Sequence, residues 1–197
     1  MTTSRAEDEF WNWFVLHEDE LFNFDPKRED DRERLFHELA DELTKVDADL
    51  CFEFGPPDGK REFVISAGGI KRAFPAVLSL VKAAPGLDRW ELIAFRPRRH
   101  PMVVEFQGNR IDPDDVSFTL LDNGSTAGIY LFVPGFQEND TVLKQIGYLL
   151  LDEVLGEYDV ETRLGLIKML SPETNTHGER YPLIELPTLF DGLVSRL

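Results

Sequence analysis

The chain has one cysteine, four histidines and no apolar run approaching the ~20 residues that a membrane-spanning helix needs. Cys51 alone cannot form an internal disulfide, and with so few thiols and imidazoles a structural zinc site is excluded. The opening stretch, Met1 to Glu9, is polar and acidic with no basic-then-apolar pattern, so no secretory signal is expected. Low-complexity tracts, internal repeats and long linkers are also missing; the longest candidate for a flexible loop is Ser171 to Arg180. These absences lead to the expectation of a cytoplasmic protein, not membrane-bound and held by no metal or cofactor.

Basic residues are scarce as well. Against 37 Asp and Glu there are 21 Lys and Arg, a net charge of −16. Such a surplus opposes binding to nucleic acid and to anionic membranes. The charge is unevenly spread. Residues 1–49 carry 16 acids and 6 bases, residues 50–110 carry 6 acids and 10 bases, and residues 111–197 carry 15 acids and 5 bases. A basic middle lies between two acidic flanks.

What is present is ordinary globular material, 42% hydrophobic. A first helix is expected from Ser4 to Phe22, with Ser4 as N-cap and Glu7 completing a capping box. Phe10, Trp11, Trp13 and Phe14 crowd this helix, and such rings are costly to leave in water. Leu35, Leu39, Leu43 and Val46 give a second helix over about Lys27 to Val46. Leu50 to Phe54 and Arg61 to Ile65 flank Pro56-Pro57-Asp58-Gly59 as a hairpin. A short helix follows over Phe74 to Ala84, then strands at Trp90 to Phe95, Met102 to Phe106, Val116 to Leu121 and Ala127 to Val133. A long helix spans Asp140 to Leu155, Thr162 to Leu170 reads as a strand or a helix, and Pro187 to Leu197 as a last helix. The expected fold is α+β: a mainly antiparallel sheet of six or seven strands against several helices. It is read as one domain over 1–197: a helical pair (about 4–46), a sheet-rich region (about 50–133) and a C-terminal helix-strand-helix (about 139–197).

Catalytic signatures are hard to find. Ala67-Gly68-Gly69-Ile70-Lys71 lacks the glycine spacing and the Ser or Thr of a phosphate-binding loop. His17-Glu18 and His37-Glu38 lack the second histidine of a metalloprotease helix, and no Gly-x-Ser-x-Gly elbow occurs. Cys51 reads as a buried structural thiol with no nearby basic group. Asp112, Asp114 and Asp115 could gather a hard cation, but Ile111-Asp112-Pro113-Asp114 is equally a turn sequence.

The most specific segment is Arg96-Pro97-Arg98-Arg99-His100-Pro101. Two prolines stiffen a loop carrying three guanidinium groups, which suits bidentate recognition of a carboxylate or phosphate. Arg96, Arg98, Arg99 and His100 are therefore the candidate anion- or partner-binding residues; no residue is put forward as catalytic. The other reading is a solvated loop whose arginines pair with this chain's own acids.

Phe10-Trp11-Asn12-Trp13-Phe14, Cys51-Phe52-Glu53-Phe54-Gly55 and Ile93-Ala94-Phe95-Arg96-Pro97-Arg98 resemble segments of a bacterial protein family with no assigned activity. These are packing signatures, so the resemblance implies a fold and transfers no site residue. In size and charge the chain is also similar to the small acidic immunity proteins that bacteria make against toxins. The leading functional expectation is a non-enzymatic binding protein whose acidic surface engages a basic protein partner, a toxin being one instance. Two alternatives stand beside it: an enzyme acting on a small anionic substrate at Arg96 to His100, and a scaffolding subunit docking through its aromatic first helix.

Overall fold

The ring-rich start of the chain needs an apolar surface to cover, and the strands that follow supply it. The computed structural model describes residues 5–197. By its contacts the chain divides into two compact units, 1–96 and 97–197, each with a core of its own.

In the first unit α1 (Arg5–Leu16) and α2 (Glu18–Asn23) are separated by His17 rather than continuous to Phe22. His17 leaves helical geometry at φ −107°, ψ 8°, and its Nδ1 lies 2.8 Å from the Trp13 carbonyl. The expected N-cap, Ser4, lies outside the described residues. Glu7 is buried and accepts a hydrogen bond from the Ser79 hydroxyl, so it joins two helices together. Next come α3 (Glu29–Val46), β1 (Cys51–Phe54), β2 (Arg61–Ser66), α4 (Phe74–Lys82) and β3 (Trp90–Ala94). β1 and β2 form the expected antiparallel hairpin, with Phe54 opposite Phe63. β3 pairs parallel to β2, and α4 is the crossover that this arrangement requires.

Phe10, Trp11 and Phe14 are buried, as their apolar area demands. Phe14 stacks on Phe63 with ring centroids 5.0 Å apart, and the Trp11 indole N–H donates to the Leu80 carbonyl at 2.8 Å. Leu35, Leu39 and Leu43 close the core from α3. Trp13 stays half-buried and stacks on His17. Arg61 is a buried cation without a carboxylate partner among the described residues. It donates to the carbonyls of Gly55, Leu21 and Phe22 and lies 4.0 Å from the Phe24 ring centroid. It thus caps the carbonyl end of α2. Burial lowers its pKa from the ordinary arginine value.

The second unit holds β4 (Val104–Phe106), β5 (Asn109–Ile111), β6 (Ser117–Asp122), β7 (Ala127–Phe132), α5 (Thr141–Leu155), α6 (Glu157–Arg163), β8 (Leu164–Leu170), β9 (Tyr181–Pro182) and α7 (Leu186–Val194). β4 and β5 make a separate two-stranded hairpin. The main sheet runs β8-β7-β6-β9, with β8 parallel to β7. Asp140 caps α5 by accepting from the Leu143 N–H at 2.9 Å, and Gly156 ends it at φ 79°. Gly147 lets α5 close on the sheet, since a Cβ there would stand 2.5 Å from the Met169 side chain. Phe118, Ile129, Leu131, Ile146, Leu150 and Phe190 fill the core.

The fold is α+β. The strands number nine among the described residues and lie in three sheets rather than one. Two of the pairings are parallel, because α4 and the α5–α6 pair carry the chain back to the same sheet edge. Residues 162–170 are strand from Leu164 onward, with α6 ending just before. No helix among the described residues is long and apolar enough to cross a membrane.

Candidate functional site

The arginine loop begins at a strained residue. Phe95 sits at φ 66°, in the left-handed region that non-glycine residues seldom occupy. It is held there by its N–H bond to the Ile65 carbonyl at 2.8 Å and by its ring packed 4.5 Å from that of Phe74. The turn directs Arg96 back to the first unit. Its Nε donates to Glu53 Oε1, and Nη2 lies 3.8 Å from Cys51 Sγ. Cys51 is therefore half-buried beside a guanidinium, contrary to the expectation of a buried thiol with no basic neighbour.

Arg98 belongs to the second unit and is bound more fully. Its Nη1 and Nη2 grip Asp191 at 2.9 and 2.8 Å, Nη2 also reaches Asp159 at 2.6 Å, and Nε donates to the Leu155 carbonyl at 2.9 Å. One side chain thus ties α5, α6 and α7 together. The hydrogen bond to Asp191 raises the pKa of Arg98 above its ordinary value, and the same bond holds the Asp191 carboxyl below its own. The Arg99 N–H donates to the Glu153 carbonyl at 2.6 Å, and the Met102 N–H to Glu153 Oε2 at 3.2 Å. Arg99 and His100 are exposed.

Arg96 faces Glu53 and Arg98 faces Asp159 and Asp191, each within its own unit. Sequence reasoning misses those partners, because nothing distinguishes three acids among 37.

Asp112 Oδ1 accepts from the Asp114 N–H at 3.1 Å and caps a single turn of 3₁₀ helix over Pro113–Asp115. The turn reading of that segment is the one the geometry follows. Among the described residues no group of three or more His, Cys, Asp or Glu is placed to hold a metal ion.

A second region has the opposite charge. α2 and the start of α3 enclose a groove of about 470 Å³ whose walls carry Asp19, Glu20, Asp25 and Asp31 against Arg28 and Arg34. Phe24 and Leu35 form its apolar base. Arg28 pairs with Asp31 at 2.7 Å, Arg34 with Glu38 at 2.8 Å and with Glu20 at 3.9 Å, and Arg89 with Asp19 at 2.5 Å, so three of the four groove carboxylates have a basic partner within the chain. The flanking residues Glu29, Asp30 and Glu33 are exposed. Exposed helical faces are where carboxylates are cheapest to hold in water. The acid-rich stretch is visible in the sequence, but the groove itself depends on the break at His17 and on the turn through Pro26.

Comparison with protein-family models, with curated proteins and with solved structures gives no match to this chain. Its chemistry is read from its own residues.

Proposed function

We propose that this chain is a non-enzymatic interaction protein of the cytoplasm that presents the acidic helical surface of residues 18–34 to a basic protein partner. The observation that carries the reading is the acidic surplus of this surface: around the apolar base of the groove between α2 and α3, Asp19, Glu20, Asp25 and Asp31 outnumber Arg28 and Arg34, although three of the four pair with Arg89, Arg34 and Arg28. An arginine or lysine of a partner could lay its aliphatic stem over Phe24 and bring its charge among the carboxylates. A surface of one sign also accelerates encounter with a partner of the other. Neutralisation of a basic toxin is one activity that such a surface could serve.

The arginine loop lends less support to an enzyme acting on small anions, because Arg96 and Arg98 are spent on Glu53, Asp159 and Asp191. The buried rings of α1 likewise lend little to docking through that helix.

The test is affinity capture from the native cell with the wild-type chain and with the double variant Asp25→Lys, Asp31→Lys. A stoichiometric basic protein, held by the wild type at low salt and lost to the variant, supports the reading. Equal capture by both chains would overturn it.

A further inference from the structure

We propose that the second unit contains a binding site for an amphipathic cation, a short hydrocarbon chain ending in an ammonium group. The site is a cavity of about 330 Å³ between the loop of residues 100–103, the turn of residues 112–114 and Ile184. It uses none of the residues of the acidic groove, so it stands or falls independently of the function proposed above.

Two observations point to the ligand class, and a third shows the site to be preformed. The first is apolar. Met102, Ile184 and Val103 are 65%, 50% and 36% exposed, and all three line this one cavity, which has the buried Pro101 and Pro113 at its back. Gathered apolar carbon facing water marks a contact surface, since covering it removes that area from water.

The second is electrostatic. The lining includes the carboxylates of Asp112 and Asp114 and no lysine or arginine. Asp112 uses Oδ1 to accept from the Asp114 N–H, and an ionised carboxylate can accept about four hydrogen bonds. Acceptor capacity therefore remains for an ammonium group, and the local charge opposes an anion. His100, also in the lining, adds a ring whose unprotonated nitrogen can accept a hydrogen bond from such a head.

The third is preorganisation. Glu153 holds the loop at two points, through the Arg99 and Met102 N–H groups, and Arg98 anchors it to Asp191. On the other side the Val116 N–H donates to the Pro113 carbonyl and the Leu183 N–H to the Val116 carbonyl, which joins the wall bearing Ile184 to the turn bearing Asp112. Little ordering remains to be done on binding. This gives the basic loop a role that its charge does not announce: Arg98 positions a wall of a site for cations.

The cavity lies at the small end of ligand sites, which run from about 300 to 1,000 Å³. At the ~30 Å³ that each water occupies in the liquid, it has room for about ten atoms of that size. A free alkylamine and a lysine side chain share this chemistry, and the experiment separates them.

The full chain, labelled at its methionine methyls, is titrated by NMR with n-hexylammonium, hexan-1-ol, hexanoate and N-acetyl-lysine methylamide. Hexylammonium should shift the Met102 signal saturably while the buried Met169 stays still, with hexanol and hexanoate at least tenfold weaker. Lysine amide shifting the same signal identifies a protein side chain as the source; its silence beside a responding hexylammonium identifies a free amine. The double variant Asp112→Asn, Asp114→Asn should weaken hexylammonium tenfold or more. An asparagine in place of Asp112 can still cap the turn, so the fold is retained. Absence of a saturable shift at Met102 overturns the proposal. So does hexanol binding as tightly as hexylammonium, or a double variant that binds as well as the wild type.

Discussion

Arg98 holds Asp191 in a two-pronged grip, Nη1 to Oδ2 at 2.9 Å and Nη2 to Oδ1 at 2.8 Å. The pair converts the most conspicuous basic segment of the sequence into a brace between the loop and α7. Replacing Arg98 with alanine removes four hydrogen bonds to partly exposed partners, and we expect a loss of about 1–2 kcal/mol in denaturant melts. Arg98→Lys should recover less than half, because an ammonium cannot span both carboxylate oxygens. A melt unchanged by Arg98→Ala would show that the brace contributes nothing.

The same pair predicts a pH dependence. Arg98 holds the Asp191 carboxyl below its ordinary pKa, so the folded state favours the ionised form. Its contribution is complete above the unfolded carboxylate value of about 3.9 and is lost as pH falls below that towards the depressed folded value. The stability difference between wild type and Asp191→Asn should therefore be present at pH 7 and shrink progressively below pH ~4. A constant difference across that range would contradict the assignment.

Phe14 and Trp13 are neighbours in sequence with different burdens. Phe14 is fully buried against Phe63, so Phe14→Ala should cost about 3–5 kcal/mol in thermal or denaturant melts. Trp13 is half-buried on His17, and Trp13→Ala should cost clearly less. Equal losses would mean that Trp13 belongs to the core.

Arg61 is the structural cation of the first unit. Arg61→Ala leaves the carbonyls of Gly55, Leu21 and Phe22 without this donor and uncovers the Phe24 ring, and we expect about 3–4 kcal/mol of destabilisation. Hydrogen exchange should show α2 opening first. A variant as stable as the wild type would show that water replaces the guanidinium without loss.

These cases show what a sequence discloses. Helical spacing of Leu35, Leu39 and Leu43 and the turn at Asn123-Gly124 mark their elements clearly, because each is a local pattern. The parallel pairing of β2 with β3 and of β7 with β8 is not legible, since pairing partners are chosen by tertiary packing and not by strand composition. The boundary at Arg96 and Pro97 carries no linker composition, so the chain reads as one domain although its contacts form two units. The arginine loop is conspicuous in the sequence, but whether its guanidinium groups face a ligand or Asp159 and Asp191 depends on residues some 60 to 90 positions away. The acidic flank is legible as charge, and its groove is not.

The most direct test of the account is the association rate between this chain and the basic partner it captures, measured as salt is raised and with the acidic groove reversed. Surface charges act over only ~8 Å at physiological ionic strength, so steering should fade with salt. Asp25→Lys with Asp31→Lys should slow association at least tenfold and flatten its salt dependence, while the lifetime of the complex changes less. Arg98→Ala should leave the rate unchanged. Rapid, salt-insensitive association in the reversed chain, or a rate that depends on Arg98 and ignores the groove, would contradict the reading.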